Sequence, residues 1–276
     1  DGNGVHYLSH KDRKVVRRFF HDVNDKEGIR SNSIYSLLVD DRGAVWVGHF
    51  QAGLDYSLYQ NGLFRTYAYP PQFNSANLSI RSFVNRGPEK VIGSRDGLFY
   101  INEATGIVKS FVKPVLTSDL ILTICFYEGE YYIGTYGGGM MVLNPQTLSL
   151  KYFTQGDTEL FQKGHIFCVK PDNRGNLWIG TSQGLFCYNG QTKQIKNFTS
   201  TNSQLPEGNV YEVSFDSTGK GWIATETGMC IYDPASQSLR SNVFPEGFVH
   251  KDKVRTIYED AEHNLYFIRE KGSLFT

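Results

Sequence analysis

Short runs of apolar residues alternate with polar turns along the whole chain, without the sustained 3.6-residue period of a helix. The runs are about five to seven residues long and are bounded by Gly, Asn, Asp or Pro, as strands are. Typical runs are "SIYSLLVD" at 33–40 and "NVYEVSFD" at 209–216, followed by the polar turns "DRG" and "STG". The pattern predicts many short strands joined by tight turns.

One four-strand unit recurs along the chain. Its second strand has the form Trp/Tyr-x-Gly, as in "LWIGTSQGLFCY" at 177–188. The anchor positions are Gly48, Gly93, Gly134, Gly180, Ala224 and Ile268, and they lie 45, 41, 46, 44 and 44 residues apart. A regular period of this size is the signature of a repeat architecture.

Such a unit predicts one blade of an all-β, four-stranded antiparallel β-propeller. A lone four-stranded sheet cannot bury both faces, whereas stacking on copies of itself buries them and leaves short, protected edges. The predicted blades are 31–75, 76–117, 118–160, 161–205 and 206–248, with partial blades at 1–30 and 249–276. The partial ends favour a segment of a longer array, part of a larger seven-bladed propeller. A closed six- or seven-bladed ring with irregular closure is the alternative.

Glycines and aromatic residues hold fixed places in the repeat. A glycine precedes each third strand, where a turn that needs positive φ explains it; these are Gly53, Gly97, Gly139, Gly184 and Gly228. One aromatic position is filled by Trp46, Trp178 and Trp222, with Tyr132 and Tyr266 as substitutes. We expect these rings to fill the space between blades; an aromatic ligand platform is the alternative.

The amino-acid composition limits the classes of partner that we expect. The 28 basic and 28 acidic residues give no basic excess, which argues against nucleic acid as the main partner. No apolar run is long enough to span a bilayer, and the given chain starts without a signal peptide. The four cysteines form no CxxC pair, so we expect no metal or other cofactor. They are predicted to be small buried residues, with a disulfide as the alternative.

The best copy of the unit, "IFCVKPDNRGNLWIGTSQGL" from Ile166 to Leu185, resembles the two-component regulator propeller repeat. A second good copy runs from Ile34 to Leu54, with His49 where the repeat has Thr. The copies from Ile80, Ile121 and Val210 are weaker, and the Gly-His and Trp-Asp pairs of WD40 repeats are missing.

The resemblance implies a biological context. Such repeats form the periplasmic sensor region of hybrid two-component histidine kinases of the Bacteroidetes type, which sense glycan fragments and signal across the inner membrane. It thus implies an extracytoplasmic, carbohydrate-sensing module, acting as a homodimer in the full-length protein. The chain contains no kinase motif and is itself expected not to be an enzyme.

The sequence shows no established catalytic motif. The Gly-rich "TYGGGM" at 135–140 lacks the Lys-Ser/Thr of a phosphate loop and is predicted to be a turn between strands. The seven histidines show no metal-ligand spacing. Acidic pairs such as Asp40-Asp41 occupy a turn in which Asp accepts backbone hydrogen bonds.

Candidate ligand-binding residues lie in two places that propellers bring to one face. The turns between second and third strands supply His49, Phe50, Gln51, Arg95, Asp96, Tyr136, Gln183, Glu226 and Arg269. The starts of the innermost strands supply Tyr35, Arg81, His165, Tyr211 and Arg255. Rings that stack on a sugar and planar polar groups that bind its hydroxyls make an oligosaccharide the expected ligand. The alternatives are exposed turn residues and contacts between blades.

Three functions compete. The leading hypothesis is a non-catalytic sensor that binds an oligosaccharide or another small ligand. A protein–protein interaction scaffold would instead show a contiguous exposed apolar patch. A propeller lyase or glycosidase would need two converging carboxylates, for which Asp96 and Glu226 are candidates, or a metal with a base.

Overall fold

A computed structural model describes the chain at residues 2–9, 14–25, 28–40, 43–58, 64–66, 79–156, 158–241, 253–259, 263–269 and 274–275. Regular secondary structure within these residues is almost entirely β-strand. The exception is the short helix α1 (Thr158–Lys163).

Five sheets each contain four strands in chain order. The first is β3 (Ile34–Val39), β4 (Ala44–His49), β5 (Leu54–Leu58) and β6 (Phe64–Thr66). The second is β7 (Ile80–Arg86), β8 (Glu89–Ser94), β9 (Gly97–Asn102) and β10 (Ile107–Phe111). The third is β11 (Ile121–Tyr127), β12 (Glu130–Thr135), β13 (Met140–Leu143) and β14 (Leu150–Tyr152). The fourth is β15 (Ile166–Pro171), β16 (Asn176–Thr181), β17 (Gly184–Asn189) and β18 (Ile195–Phe198). The fifth is β19 (Val210–Phe215), β20 (Gly221–Thr225), β21 (Gly228–Asp233) and β22 (Ser238–Arg240).

Two smaller sheets complete the described structure. A two-stranded sheet holds β1 (Val5–Ser9) and β2 (Lys14–Phe19), and a three-stranded sheet holds β23 (Val254–Glu259), β24 (Leu265–Arg269) and β25 (Leu274–Phe275). Neighbouring strands in the blades are joined by antiparallel ladders. The predicted all-β propeller built from four-stranded blades is confirmed; the number of blades in a complete ring stays a prediction.

The chain divides into two compact units, residues 1–121 (unit 1) and 122–276 (unit 2). In unit 1, Trp46 of β4 packs with Ile80 and Ile92 of the following blade. In unit 2, Trp178 of β16 packs with Val210 and Val213 of the following blade. The prediction that the ring at this position fills the space between blades is confirmed for these two residues and also for Trp222 and Tyr132; for Tyr266 it stays a prediction.

An aspartate holds each tryptophan in place. The indole Nε1 of Trp178 donates to Asp172 Oδ2 at 2.9 Å, while Asn176 N donates to Asp172 Oδ1 at 2.9 Å. The pairs Asp40–Trp46 and Asp216–Trp222 repeat this contact at 3.0 Å and 2.8 Å. The aspartate of the polar turn therefore does more than accept the predicted backbone bonds: it also satisfies the only polar atom of the ring between blades.

The glycines before the third strands have the predicted backbone. Gly184 has a φ of 117°, and a Cβ at this position would lie 2.5 Å from the carbonyl oxygen of Phe198. Positive φ also holds for the other predicted positions, Gly53, Gly97, Gly139 and Gly228. Only glycine combines this conformation with such close approach of the fourth strand.

The four cysteines are free thiols. Cys125, Cys168 and Cys230 are buried, and burial raises the pKa of the Cys125 thiol to about 12. Cys187 is half-buried, and burial together with the charge of Asp172 raises its pKa to about 12 as well. The interpretation of the cysteines as small packing residues is the one the structure supports, rather than the disulfide.

Within the described ranges, no helix has the length and apolarity needed to cross a bilayer. Nor does any group of three His, Cys, Asp or Glu side chains in those ranges have an arrangement that could hold a metal ion.

Candidate functional site

A β-bulge interrupts the first strand of several blades at one repeat position. In the fourth blade, Ile166 and Cys168 pair with consecutive residues of β16, so Phe167 is left without a ladder partner. The same irregularity occurs around Tyr35, Arg81, Tyr211 and Arg255. A bulge leaves its extra residue unpaired and re-aims the side chain. Four of these five residues are predicted ligand residues.

Backbone hydrogen bonds fasten the predicted turns to the starts of these strands. Ser182 N donates to the carbonyl of His165 at 3.2 Å, and Glu226 N donates to the carbonyl of Asn209 at 2.9 Å. In unit 1, Phe50 N and Arg95 N donate to the carbonyls of Ser33 and Ser79. In these four blades, the predicted turn and the start of the first strand are thus joined directly.

Aromatic rings from three blades form a continuous row in unit 2. Tyr136, in the turn between β12 and β13, stacks on His165 with centroids 4.0 Å apart and planes at 24°. His165 lies 6.2 Å from Phe167, which contacts Tyr211 edge-on at 5.1 Å. Tyr136, His165, Phe167 and Tyr211 are called the aromatic row. Tyr136 is 49% exposed and the other three are partly exposed, so the row borders solvent.

Charged and polar groups surround the Tyr211 end of the row. The Arg255 guanidinium lies 4.5 Å and Lys253 Nζ 5.0 Å from the ring centroid. The Tyr211 hydroxyl donates to Glu226 Oε2, which also accepts from Asn209 Nδ2 at 3.1 Å. Lys253 Nζ lies 3.2 Å from Glu226 Oε1. Glu226 therefore holds Tyr211 in a fixed orientation.

An ion pair joins the first strands of the fourth and fifth blades. Lys170 Nζ lies 3.5 Å from Glu212 Oε1. Burial raises the pKa of Glu212 although Lys170 lowers it, and the charge of Glu212 raises the pKa of Lys170. Because Glu212 directly follows Tyr211, this pair fixes the strand that carries the ring.

Unit 1 contains a smaller cluster at the same repeat positions. Tyr35 and Phe50 have centroids 5.1 Å apart at an interplanar angle of 45°. The Arg81 guanidinium lies 4.9 Å from the Tyr35 centroid. Tyr35, Phe50 and Arg81 are called the Tyr35 cluster.

His49 belongs to the core rather than to this surface. Its side chain is fully buried, and Nε2 lies 2.8 Å from Oδ2 of the buried Asp55. In the next four blades a hydroxyl at the equivalent position donates to the glycine carbonyl of the turn, from Ser94 in the second blade and from Thr in the other three, as Thr181 does to Gly184 at 2.8 Å. The structure gives His49 a packing contact instead of the expected ligand contact.

The remaining predicted residues lie in exposed turns. Gln51, Arg95, Asp96 and Gln183 are exposed. Gln183 borders a shallow depression of about 300 Å³ with Ser182, Thr199 and Glu207. Only the backbone of Arg269 lies within the described part of the chain.

Phe167 was missed by sequence reasoning. His165 is the residue predicted from the sequence to bind ligand at the start of the first strand of the fourth blade. The bulge position equivalent to Tyr35 and Tyr211 is instead Phe167. Aligning the Ile/Val that precedes each bulge residue would have found it, since Ile34, Ile166 and Val210 all hold this place.

The family model described as "two component regulator propeller" matches residues 28–51 and 161–183. These segments overlap the two copies in which the resemblance is strongest, and the resemblance is confirmed there. A search of curated protein sequences found no match.

Several solved structures share the fold. An extracellular domain assigned to the hybrid two component system BT3049 of B. thetaiotaomicron matches with a TM-score of 0.78 at 22% identity, covering 99% of this chain and 36% of that one. Two structures of the extracellular domain of BT4673, assigned once to a one component and once to a hybrid system of the same organism, also match. Their TM-scores are 0.59 and 0.61 at 17% and 16% identity, covering 88% and 93% of this chain and 38% and 39% of theirs. The chain therefore spans less than half the length of the structures it matches.

Proposed function

We propose that this chain is a non-catalytic extracytoplasmic sensor domain of a two-component regulator, in the periplasm, which recognises an oligosaccharide at the aromatic row. The observation that carries the proposal is the row itself, with rings from three blades bordering solvent and Arg255 and Glu226 at one end. Rings contact the apolar faces of sugars, while fixed polar groups at the edge give orientation and specificity.

A binding role fits Glu226 better than a catalytic one. Glycosidases use two carboxyl groups, one of which must give or take a proton at the scissile bond. The Glu226 carboxylate already contacts Tyr211, Asn209 and Lys253. Its arrangement serves to orient a ring, so we propose that the glycan is bound without being cleaved.

Signalling would follow from ligand preference for one conformation. A ligand shifts an equilibrium only by the difference in its affinity for the two states. The row spans three consecutive blades of unit 2, and backbone hydrogen bonds fasten the turns of the fourth and fifth blades to the starts of their first strands. A sugar that bridges them would favour the state in which these blades keep their present spacing.

The test is a thermal-shift screen of the purified chain against plant, host and microbial oligosaccharides, followed by calorimetry. A ligand at 100 times its Kd stabilises the folded state by about 2.7 kcal/mol. Tyr136→Ala and Phe167→Ala should weaken a hit about tenfold or more, by analogy with other ring-stacking contacts. Tyr152→Ala is the matched control, since Tyr152 is 46% exposed but lies on β14 outside the row. A hit unaffected by the row variants, or chromatography showing a cleaved glycan, would contradict the proposal.

A second candidate function, a protein–protein contact such as homodimer formation, is favoured by one observation. Leu37 and Val39 of β3 are 55% and 65% exposed and alternate along the strand with the less exposed Leu38. Exposed apolar strips commonly mark interaction sites. Sedimentation velocity of the wild type and of a Leu37→Ser, Val39→Ser variant tests this: concentration-dependent association that the variant abolishes supports it, and a wild type that stays monomeric argues against it.

A further inference from the structure

The arginine of the Tyr35 cluster differs from other arginines of the described chain. Arg30, Arg86 and Arg240 pair with Asp55, Glu89 and Asp233. Within the described residues, Arg81 has no carboxylate partner, and its buried Nε has no hydrogen-bond acceptor. Buried donors in folded proteins are nearly always satisfied, so an unsatisfied one calls for an explanation.

The surroundings of Arg81 are aromatic. Its guanidinium lies over the Tyr35 ring, which is 40% exposed and contacts Phe50. Stacking on the ring limits the orientations of the guanidinium plane, which reduces the entropy lost when an acceptor binds. The cluster therefore presents a pre-oriented cation beside an accessible aromatic surface.

Within the described residues, no neighbouring carboxylate neutralises the charge of Arg81. The turn that carries the exposed Arg95 and Asp96 is fastened to Ser79, two residues before Arg81, by the bond from Arg95 N at 3.1 Å. Asp55 is buried and already contacts His49 and Arg30. Arg95 and Asp96 offset each other in charge, and Arg81 remains as the cation at the rings.

We propose that the Tyr35 cluster is a binding site for a carboxylate carried on a ring, separate from the aromatic row. A carboxylate offers two oxygens in the geometry of the arginine fork and supplies acceptors for its donors. The attached ring packs on Tyr35 and Phe50. An acidic sugar and an aromatic acid share this chemistry.

Saturation-transfer NMR and calorimetry on the whole chain test the site with galacturonate and benzoate, and with galactose and benzyl alcohol as their neutral counterparts. At least one carboxylate probe should bind, and its neutral counterpart should bind about tenfold more weakly, because the charge-assisted contact is lost. Preference for galacturonate identifies an acidic sugar as the ligand type; preference for benzoate identifies an aromatic acid.

Variants tie the binding to Arg81. Arg81→Gln should weaken the carboxylate probe about tenfold or more. Arg86→Gln, on the same strand but paired with Glu89, should leave it unchanged. If Arg81→Gln fails to fold, Tyr35→Leu replaces it, because Tyr35 is exposed. Tyr35→Leu should also weaken binding of the carboxylate probe. Failure of both probes to bind, equal binding of a neutral counterpart, or unchanged binding in the cluster variant that folds would each overturn the proposal.

Discussion

The same repeat position is covered in the fourth blade, in unit 2, and open in the first blade, in unit 1. Val169 of β15 is 1% exposed and packs with Tyr132 and Val142 of the preceding blade, whereas its equivalent Leu37 of β3 is 55% exposed. The third blade before β15 has four strands, while the described sheet before β3 has two. A repeat residue is thus apolar because of its place in the pattern, but its energetic contribution depends on the neighbouring blade.

The largest expected effect comes from placing a charge at this position. Val169→Asp buries an unpaired carboxylate and should destabilise unit 2 by about 4 kcal/mol or more, whereas Leu37→Asp should change stability by about 0.5 kcal/mol or less. Urea unfolding of both variants measures the difference. Equal losses would show that β3 is covered in solution, by another copy or another segment.

The first blade also differs from the fourth at the threonine position, where it has His49 with Asp55. His49→Thr should cost about 3 kcal/mol, because buried Asp55 loses a partner. The double variant His49→Thr, Asp55→Phe, which restores the residue types of the fourth blade (Thr181 and Phe186), should recover most of that loss. Chemical denaturation of the two variants measures the coupling energy between positions 49 and 55. A double variant less stable than the single one would mean that Arg30, which contacts Asp55, needs the Asp55 carboxylate.

A smaller effect is expected at the Asp–Trp contact of the fifth blade. Burial raises the pKa of Asp216, but hydrogen bonds from Thr218, Trp222 and Lys220 outweigh it and lower the pKa below its usual value. A carboxylate with a lowered folded pKa stabilises the fold above the unfolded pKa of about 3.9, and this stabilisation is lost as the pH falls through the folded pKa.

Asp216→Asn should therefore cost about 1–2 kcal/mol at pH 7, and the gap to the wild type should narrow below about pH 4. Thermal unfolding across this pH range measures the gap. Asp233→Asn is the control. A hydrogen bond from the backbone N of Ala235 lowers the pKa of the Asp233 carboxyl as well, but Asp233 contacts no tryptophan. A gap independent of pH would mean that the charge of Asp216 does not contribute.

The smallest effect distinguishes the two bulge tyrosines. Tyr211 donates to Glu226, whereas the Tyr35 hydroxyl has no hydrogen bond within the described residues. Tyr211→Phe should cost about 1 kcal/mol and Tyr35→Phe close to nothing. Differential scanning calorimetry resolves this, and equal melting temperatures for the two variants would contradict the role given to Glu226.

The sequence predicted the repeat, the blade fold, the positive-φ glycines and the packed tryptophans, because each depends on local periodicity or on one residue type at a fixed position. For the turn aspartate, the sequence predicts backbone hydrogen bonds, and Asp172 accepts such bonds. The bond that Asp172 accepts from the indole of Trp178 was not predicted. His49 could not be placed, because its burial depends on Asp55, which lies across the turn on the next strand. Phe167 was missed because a bulge shifts the register by one residue, and register is set by pairing rather than by composition.

In four blades, the hydrogen bond that fastens the turn after the second strand to the start of the first strand uses backbone atoms alone. Any side chain except that of proline, which has no backbone N–H, can therefore be exchanged at these turns without removing the bond that holds them. These turns carry Phe50 and Arg95 in two blades of unit 1 and Gln183 and Glu226 in two blades of unit 2, so their chemistry can differ while the blades keep their geometry. Because backbone atoms hold the turn and side chains would face the ligand, duplicated repeats can diverge in what they recognise, one blade at a time, under separate selection.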